Sequence, residues 1–141
     1  DVERSRGLGD VYKRQVEAGA EFFQTQAIYD IEKFKRFMDY ARKFDVKILA
    51  GIVLLVSAGM ARYMNNNVAG VDVPDEVIQR LRSAGKGKAA AEGMNIAVET
   101  IHEMNETDGV HGIHLMAIEW EEKVPEIVER AGLSPRKGAA E

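Results

Sequence analysis

Cysteine is absent from the 141 residues. Disulfides, thiolate nucleophiles and Cys-ligated zinc or iron–sulfur centres are therefore excluded within this sequence. A long hydrophobic run is also missing. The longest candidate, residues 48–58, falls short of the roughly 18–20 apolar residues a spanning helix needs. The first six residues, Asp1-Val2-Glu3-Arg4-Ser5-Arg6, lack the apolar stretch of a signal peptide, so a cytoplasmic protein is expected. No basic tract is present and the formal charge is -4, which gives no long-range pull toward nucleic acid or an anionic membrane. The glycines near 85 and 87 have no phosphate-loop spacing. His102, His111 and His114 lack a carboxylate or thiolate at a familiar ligand spacing, so no metal site is expected.

What is present suits one ordinary domain. The hydrophobic fraction of 45% is enough for a packed core. Residues 1–15 are polar, carry two glycines and show no sustained period. They read as a segment apart from the fold, with the look of an artefactual adapter, or as an ordinary loose terminus. Regular patterning starts at Val16. Residues 20–26 read as a short strand after Gly19, a glycine placed to end a helix. Asp30 is a candidate N-cap, and Ile31, Phe34, Phe37, Met38 and Ala41 then recur at helical spacing. Residues 46–53 are almost continuously apolar, as a parallel strand covered on both faces would be.

Ser57 is placed to cap a helix to about Met64, and Asn65-Asn66-Asn67 is expected to break it. Pro74 announces another helix carrying Val77, Ile78 and Leu81. After a gap at residues 83–87, a long helix is expected over 88–106, weakened locally by Gly93. Residues 112–118 read as a third strand, and 121–131 as a last helix stopped by Gly132. Residues 134–141 read as a flexible tail. Strands alternating with helices make a parallel α/β sheet. Three strands cannot close an eight-stranded barrel. The chain is thus either a small open sandwich or part of a barrel.

Four short stretches in order add a resemblance. Gly19-Ala20-Glu21-Phe22-Phe23-Gln24-Thr25-Gln26, with Ala27-Ile28-Tyr29-Asp30 behind it, resembles a strand of the methylenetetrahydrofolate reductase family. Ala50-Gly51-Ile52 is similar to its Pro-Gly-Ile element. Val73-Pro74 with Gln79 resembles a helix start, and the third strand with Glu121-Glu122-Lys123-Val124-Pro125-Glu126-Ile127 resembles the last strand and helix of anaerobic bacterial members. The resemblance covers residues 16–133. It implies a partial (β/α)8 TIM barrel, roughly strands six to eight with their helices. It further implies FAD as cofactor, reduction of methylenetetrahydrofolate to methyltetrahydrofolate, and a role in one-carbon metabolism and methionine biosynthesis. A pyridine nucleotide or an electron-transfer protein would be the donor, and the intact enzyme a homo-oligomer. The family's general-acid glutamate, its flavin-side aspartate and most FAD contacts lie on earlier strands, so no catalytic residue is expected here and the chain alone is expected to be inactive.

The candidate site residues are few. Gln26 ends a parallel strand, where barrels build their active sites, and its amide offers both donor and acceptor to a pterin or flavin edge. The resemblance makes it a substrate- and cofactor-binding glutamine; a loop residue capping the next helix is the plainer reading. Thr25 beside it is a candidate for cofactor contact. Gln79 resembles a second folate-contacting glutamine, though a solvated helix position is equally open beside Ile78. Tyr29 either stacks on a ring or joins the core. Glu121, Glu122 and Glu126 read as a solvated helix face. One departure stands out. Many family members carry Asn-Arg after the last strand, with the arginine on the substrate, where this chain has Glu119-Trp120. Two other classes remain open: a non-catalytic α/β interaction module assembling through its sheet edge, and a different pterin-handling barrel such as a methyltransferase.

Overall fold

The computed structural model describes residues 2–133, with side chains from residue 10 onward. Helix α1 (Val2–Glu17) leads to strand β1 (Phe22–Ala27), α2 (Ile31–Ala41) and β2 (Lys47–Val53). Three helices follow, α3 (Ala58–Asn67), α4 (Asp75–Ser83) and α5 (Ala89–Glu106). The described chain closes with β3 (Val110–Met116), a 3-10 turn (Glu121–Lys123) and α6 (Val124–Arg130). The three strands form one parallel sheet in the order β1-β2-β3. Residues 134–141, read above as a tail, lie outside the described residues.

Local chemistry explains most of the boundaries. The Asp30 carboxylate accepts from the Lys33 amide at 3.0 Å, and the Ser57 hydroxyl accepts from the Met60 amide at 3.0 Å, so α2 and α3 both start on side-chain caps. Pro74 sits just ahead of α4, where its missing N–H costs nothing. Gly19 and Gly132 end α1 and α6 at φ 101° and 69°, a region glycine enters without strain.

The sheet has two unlike faces. In register, Phe23 and Ile48 lie side by side, as do Ala50 and Ile113, and Ile52 and Leu115. This face carries the core: Ile48 is 1% exposed, and Ala50 and Ile52 are 0%. Tyr12 of α1 meets Phe23 edge-on at 5.1 Å and Phe37 of α2 at 5.3 Å, while Met38 of α2 and Ile101 and Met104 of α5 complete the packing. The opposite face pairs Phe22 with Lys47 and Gln24 with Leu49. There Phe22 is 56% exposed, Gln24 and Lys47 are exposed, and a shallow depression runs between Glu21, Phe22, Lys47 and Leu49. Strands in sequential order with helices along one side are the arrangement of a barrel wall; a doubly wound sheet reverses its strand order and carries helices on both faces. This is an α/β structure consistent with part of a TIM barrel.

Several expectations are corrected. Residues 2–15 are not without structure: α1 runs through them, because Tyr12 and Val16, one helical turn apart, seat on the core despite Gly7 and Gly9. The three asparagines do not break α3, which continues to Asn67. The Asn67 amide donates to the Tyr63 carbonyl at 2.9 Å, and the Asn65 oxygen accepts from the Val73 amide at 3.1 Å, so both side chains work for the helix and the loop behind it. Gly93 is not a defect of α5. A Cβ there would lie 1.6 Å from the Leu55 carbonyl oxygen, so glycine lets α5 close on the segment after β2. β3 begins at Val110 rather than 112, and the last helix opens with a 3-10 turn.

Candidate functional site

Parallel strands in sequential order put the loops β1–α2, β2–α3 and β3–α6 at one end of the sheet. The site candidates on β1 gather there. Pairing runs Phe22 with Lys47, Phe23 with Ile48 and Gln24 with Leu49, then resumes as Ala27 with Gly51. β1 therefore advances three residues where β2 advances two, a bulge of one extra residue at Thr25-Gln26. The Thr25 hydroxyl spans it, donating to the Gln26 carbonyl at 2.8 Å and accepting from the Gly51 amide at 2.9 Å. A Cβ on Gly51 would lie 2.6 Å from the Thr25 carbonyl oxygen and 3.0 Å from that of Gln26, so the close approach requires glycine. The ladder recovers at once, with the Ile28 amide donating to the Gly51 carbonyl at 2.9 Å.

Gln26 is exposed, and no described residue hydrogen-bonds its side-chain amide. Its stem borders Gly70, where a Cβ would come within 3.3 Å of the Gln26 Cγ. Gly70 holds φ 81° in the loop between α3 and α4. That loop is tied down by the Asn65–Val73 bond and by Lys33–Asp72 at 3.5 Å, an exposed ion pair that contributes little by itself.

Tyr29 lies beneath this end of the sheet. Its ring is 6% exposed and its hydroxyl donates to the Val53 carbonyl at 2.6 Å, joining the β1–α2 turn to the end of β2. Burial pushes its phenol pKa up, and a hydroxyl that donates to a carbonyl favours the same neutral form. Gln79 is exposed on α4 between the buried Ile78 and the network of Arg80, and no hydrogen bond joins it to Gln26. Thr25, Gln26 and Tyr29 thus meet at one strand end, and Gln79 stands on a separate helix.

Beyond β3, Glu119 adopts φ 60°, in the left-handed region, and its amide donates to the Glu121 carboxylate at 3.2 Å. Trp120 is half-buried against the core. Ile118 is exposed. His111 sits where the β2–β3 register shifts, its Nδ1 accepting from the Ile48 amide at 3.3 Å. Among the described residues no His, Asp and Glu cluster is placed to hold a metal.

Three features escaped the sequence reading. Arg80 donates to both Glu92 (2.9 Å from Nε) and Glu99 (2.6 Å from Nη1) on α5. Asn95 holds Glu92 at 3.2 Å and receives Arg130 of α6 at 2.6 Å, so α4, α5 and α6 are latched together. The Arg80 hydrogen bond holds the Glu99 carboxyl below its ordinary range. The bulge at Thr25 and the close approach at Gly93 are the other two. Only the glycines at 51 and 93 were visible signals of them.

Comparison with known proteins supplies the context. A sequence model of the family described as "Methylenetetrahydrofolate reductase" matches residues 6–132. "Methylenetetrahydrofolate reductase 2" of Schizosaccharomyces pombe (strain 972 / ATCC 24843) is 31% identical over 87% of this chain, which spans only 21% of that relative's length. The chain belongs to the methylenetetrahydrofolate reductase family.

Proposed function

We propose that this chain supplies three consecutive strand–helix units, the sixth to the eighth, of a flavin-dependent methylenetetrahydrofolate reductase barrel, and with them one wall of the folate pocket. The observation that carries the reading is the Gln26 amide, which has no hydrogen-bond partner among the described residues. It stands at the C-terminal end of β1, on a sheet whose helices lie to one side. An amide there can donate to and accept from one edge of a pterin or an isoalloxazine ring, so the residue present fits one edge of either group. When bound, FAD supplies the hydride chemistry, an oxidoreduction at a CH–NH group of the folate. What this chain contributes is orientation. Gln26 holds a ring edge, and the Gly70 loop confines its stem. Thr25 and Tyr29 brace the strand end through backbone carbonyls. Gln79 on α4 adds a second folate contact in this reading.

The general acid and the remaining flavin contacts come from other strands, so the 141-residue chain is inactive by itself. The intact enzyme is a cytoplasmic homo-oligomer fed by a pyridine nucleotide or an electron-transfer protein. The test is expression of the reading frame extended to eight strands beside the 141-residue chain. The extended protein should purify yellow and oxidise its reduced flavin with methylenetetrahydrofolate; the short chain should be colourless and inactive. A colourless extended protein, or a short chain forming a defined, stable, colourless oligomer, would favour the interaction module and end this reading.

A further inference from the structure

We infer that Thr25 is a positioning residue for the folate pocket: its hydroxyl staples the one-residue bulge of β1 to Gly51 of β2 and so sets the direction of the Gln26 amide. The inference rests on the reading of Gln26 given above. A bulge re-aims the side chains around it, and without a fixed register it can slide. Here the slide is opposed from three sides. Gly51 is buried, and where the ladder shifts its N–H donates to the Thr25 hydroxyl at 2.9 Å. The same hydroxyl gives its proton to the Gln26 carbonyl at 2.8 Å, fixing the peptide plane that follows Gln26. The absence of a Cβ on Gly51 allows the Thr25 and Gln26 carbonyls to press against β2, at 2.6 and 3.0 Å from where that atom would be. Beyond the bulge, Gly70 limits where the Gln26 stem can go. The Thr25 hydroxyl commits its proton and one lone pair to backbone, so the effect inferred here passes through Gln26.

The experiment compares Thr25→Val, which keeps the shape and loses the hydroxyl, with Thr25→Ser, which keeps the hydroxyl, in the extended flavin-bearing protein. The flavin is first reduced by its electron donor alone, then reoxidised by methylenetetrahydrofolate. Thr25→Val should raise KM for the folate about tenfold, with kcat and the donor half-reaction changed by less than about twofold. It should also speed amide exchange at Gly51 about tenfold. Thr25→Ser should restore folate KM and Gly51 protection to near wild type. A folate KM unchanged in Thr25→Val overturns the inference, as does equal loss of both half-reactions and of bound flavin in the Val and Ser variants, which a merely structural role would give. Should Thr25→Val fail to fold, Thr25→Cys, with its weak donor and acceptor, should give an intermediate KM, and a wild-type KM there overturns the inference equally. Wild-type protein whose reduced flavin ignores the folate would instead sink the underlying reading, a result distinct from any of these.

Discussion

Replacing Gly93 by alanine sets two well-known effects against each other. Helix propensity alone favours alanine by about 1 kcal/mol in a helix interior. The structure reverses the sign. A Cβ at 93 would lie 1.6 Å from the Leu55 carbonyl oxygen and 2.8 Å from its carbon. An ordinary C···O approach is about 3.3 Å, so α5 or the Leu55 backbone must retreat by roughly 1.7 Å. Neither is free to move. Leu55 is 1% exposed, and α5 carries Ile101 and Met104, both 0% exposed. Overpacking of this kind costs about 1–3 kcal/mol, and an overlap with backbone belongs at the upper end. Net of propensity, Gly93→Ala should destabilise by about 2 kcal/mol. Urea unfolding of the 141-residue chain should then show a midpoint lower by roughly 1 M with an unchanged slope. The control is Ala91→Gly on the exposed side of the same helix, which should lose about 1 kcal/mol through propensity alone. A Gly93→Ala midpoint equal to or above wild type would refute the close approach between α5 and Leu55, just past β2.

Three further substitutions test other parts of the structure. Tyr29→Phe removes the buried hydrogen bond to the Val53 carbonyl and should cost about 1–2 kcal/mol in denaturant unfolding. Because the folded phenol pKa is raised, the Tyr29 contribution is whole below the unfolded value near 10 and is lost as pH climbs above it; the Phe variant should therefore lose less stability between neutral and strongly alkaline pH. Arg80→Ala unlatches α4 from α5 and should cost only about 0.5–1 kcal/mol, since Arg80 and Glu99 are substantially exposed, while exchange of the α4 amides quickens first. The Glu99 pKa is lowered in the fold, so this increment is present above the ordinary carboxylate range and fades as pH falls through the depressed value; wild type and variant should converge in acid. Glu119→Asn places a residue that tolerates the left-handed region at φ 60° and should stabilise by about 1 kcal/mol in a thermal melt; a lower melting temperature would contradict that account of the turn.

What could be read in the sequence was whatever acts over a few residues. Asp30 and Ser57 carry their caps in their own side chains, and the apolar run of β2 announces its burial, so α2, α3 and the parallel sheet were legible. Gln26 was legible as a strand-end residue because strand and helix patterns flank it. The bulge was not, since an extra residue on β1 shows only against its partner strand. Gly93 read as a weak point because its reason for being glycine lies 38 positions away in sequence, at Leu55. The α1 helix was missed for a related cause: Tyr12 and Val16 are a thin apolar stripe that gains meaning only when Phe23 and Phe37 lie beneath it. The Arg80 network joins three helices, and no local spacing encodes that.

The central claim is that Gln26 holds the folate at the end of β1. The direct measurement is Gln26→Glu in the extended protein, with reoxidation of reduced flavin by methylenetetrahydrofolate followed beside a urea melt. The side chain is exposed and has no partner among the described residues, so the melt should stay within about 0.5 kcal/mol of wild type. Folate turnover should fall by at least tenfold, because a carboxylate offers only acceptors where the amide also donates. Unchanged folate kinetics in a well-folded Gln26→Glu protein would contradict the account.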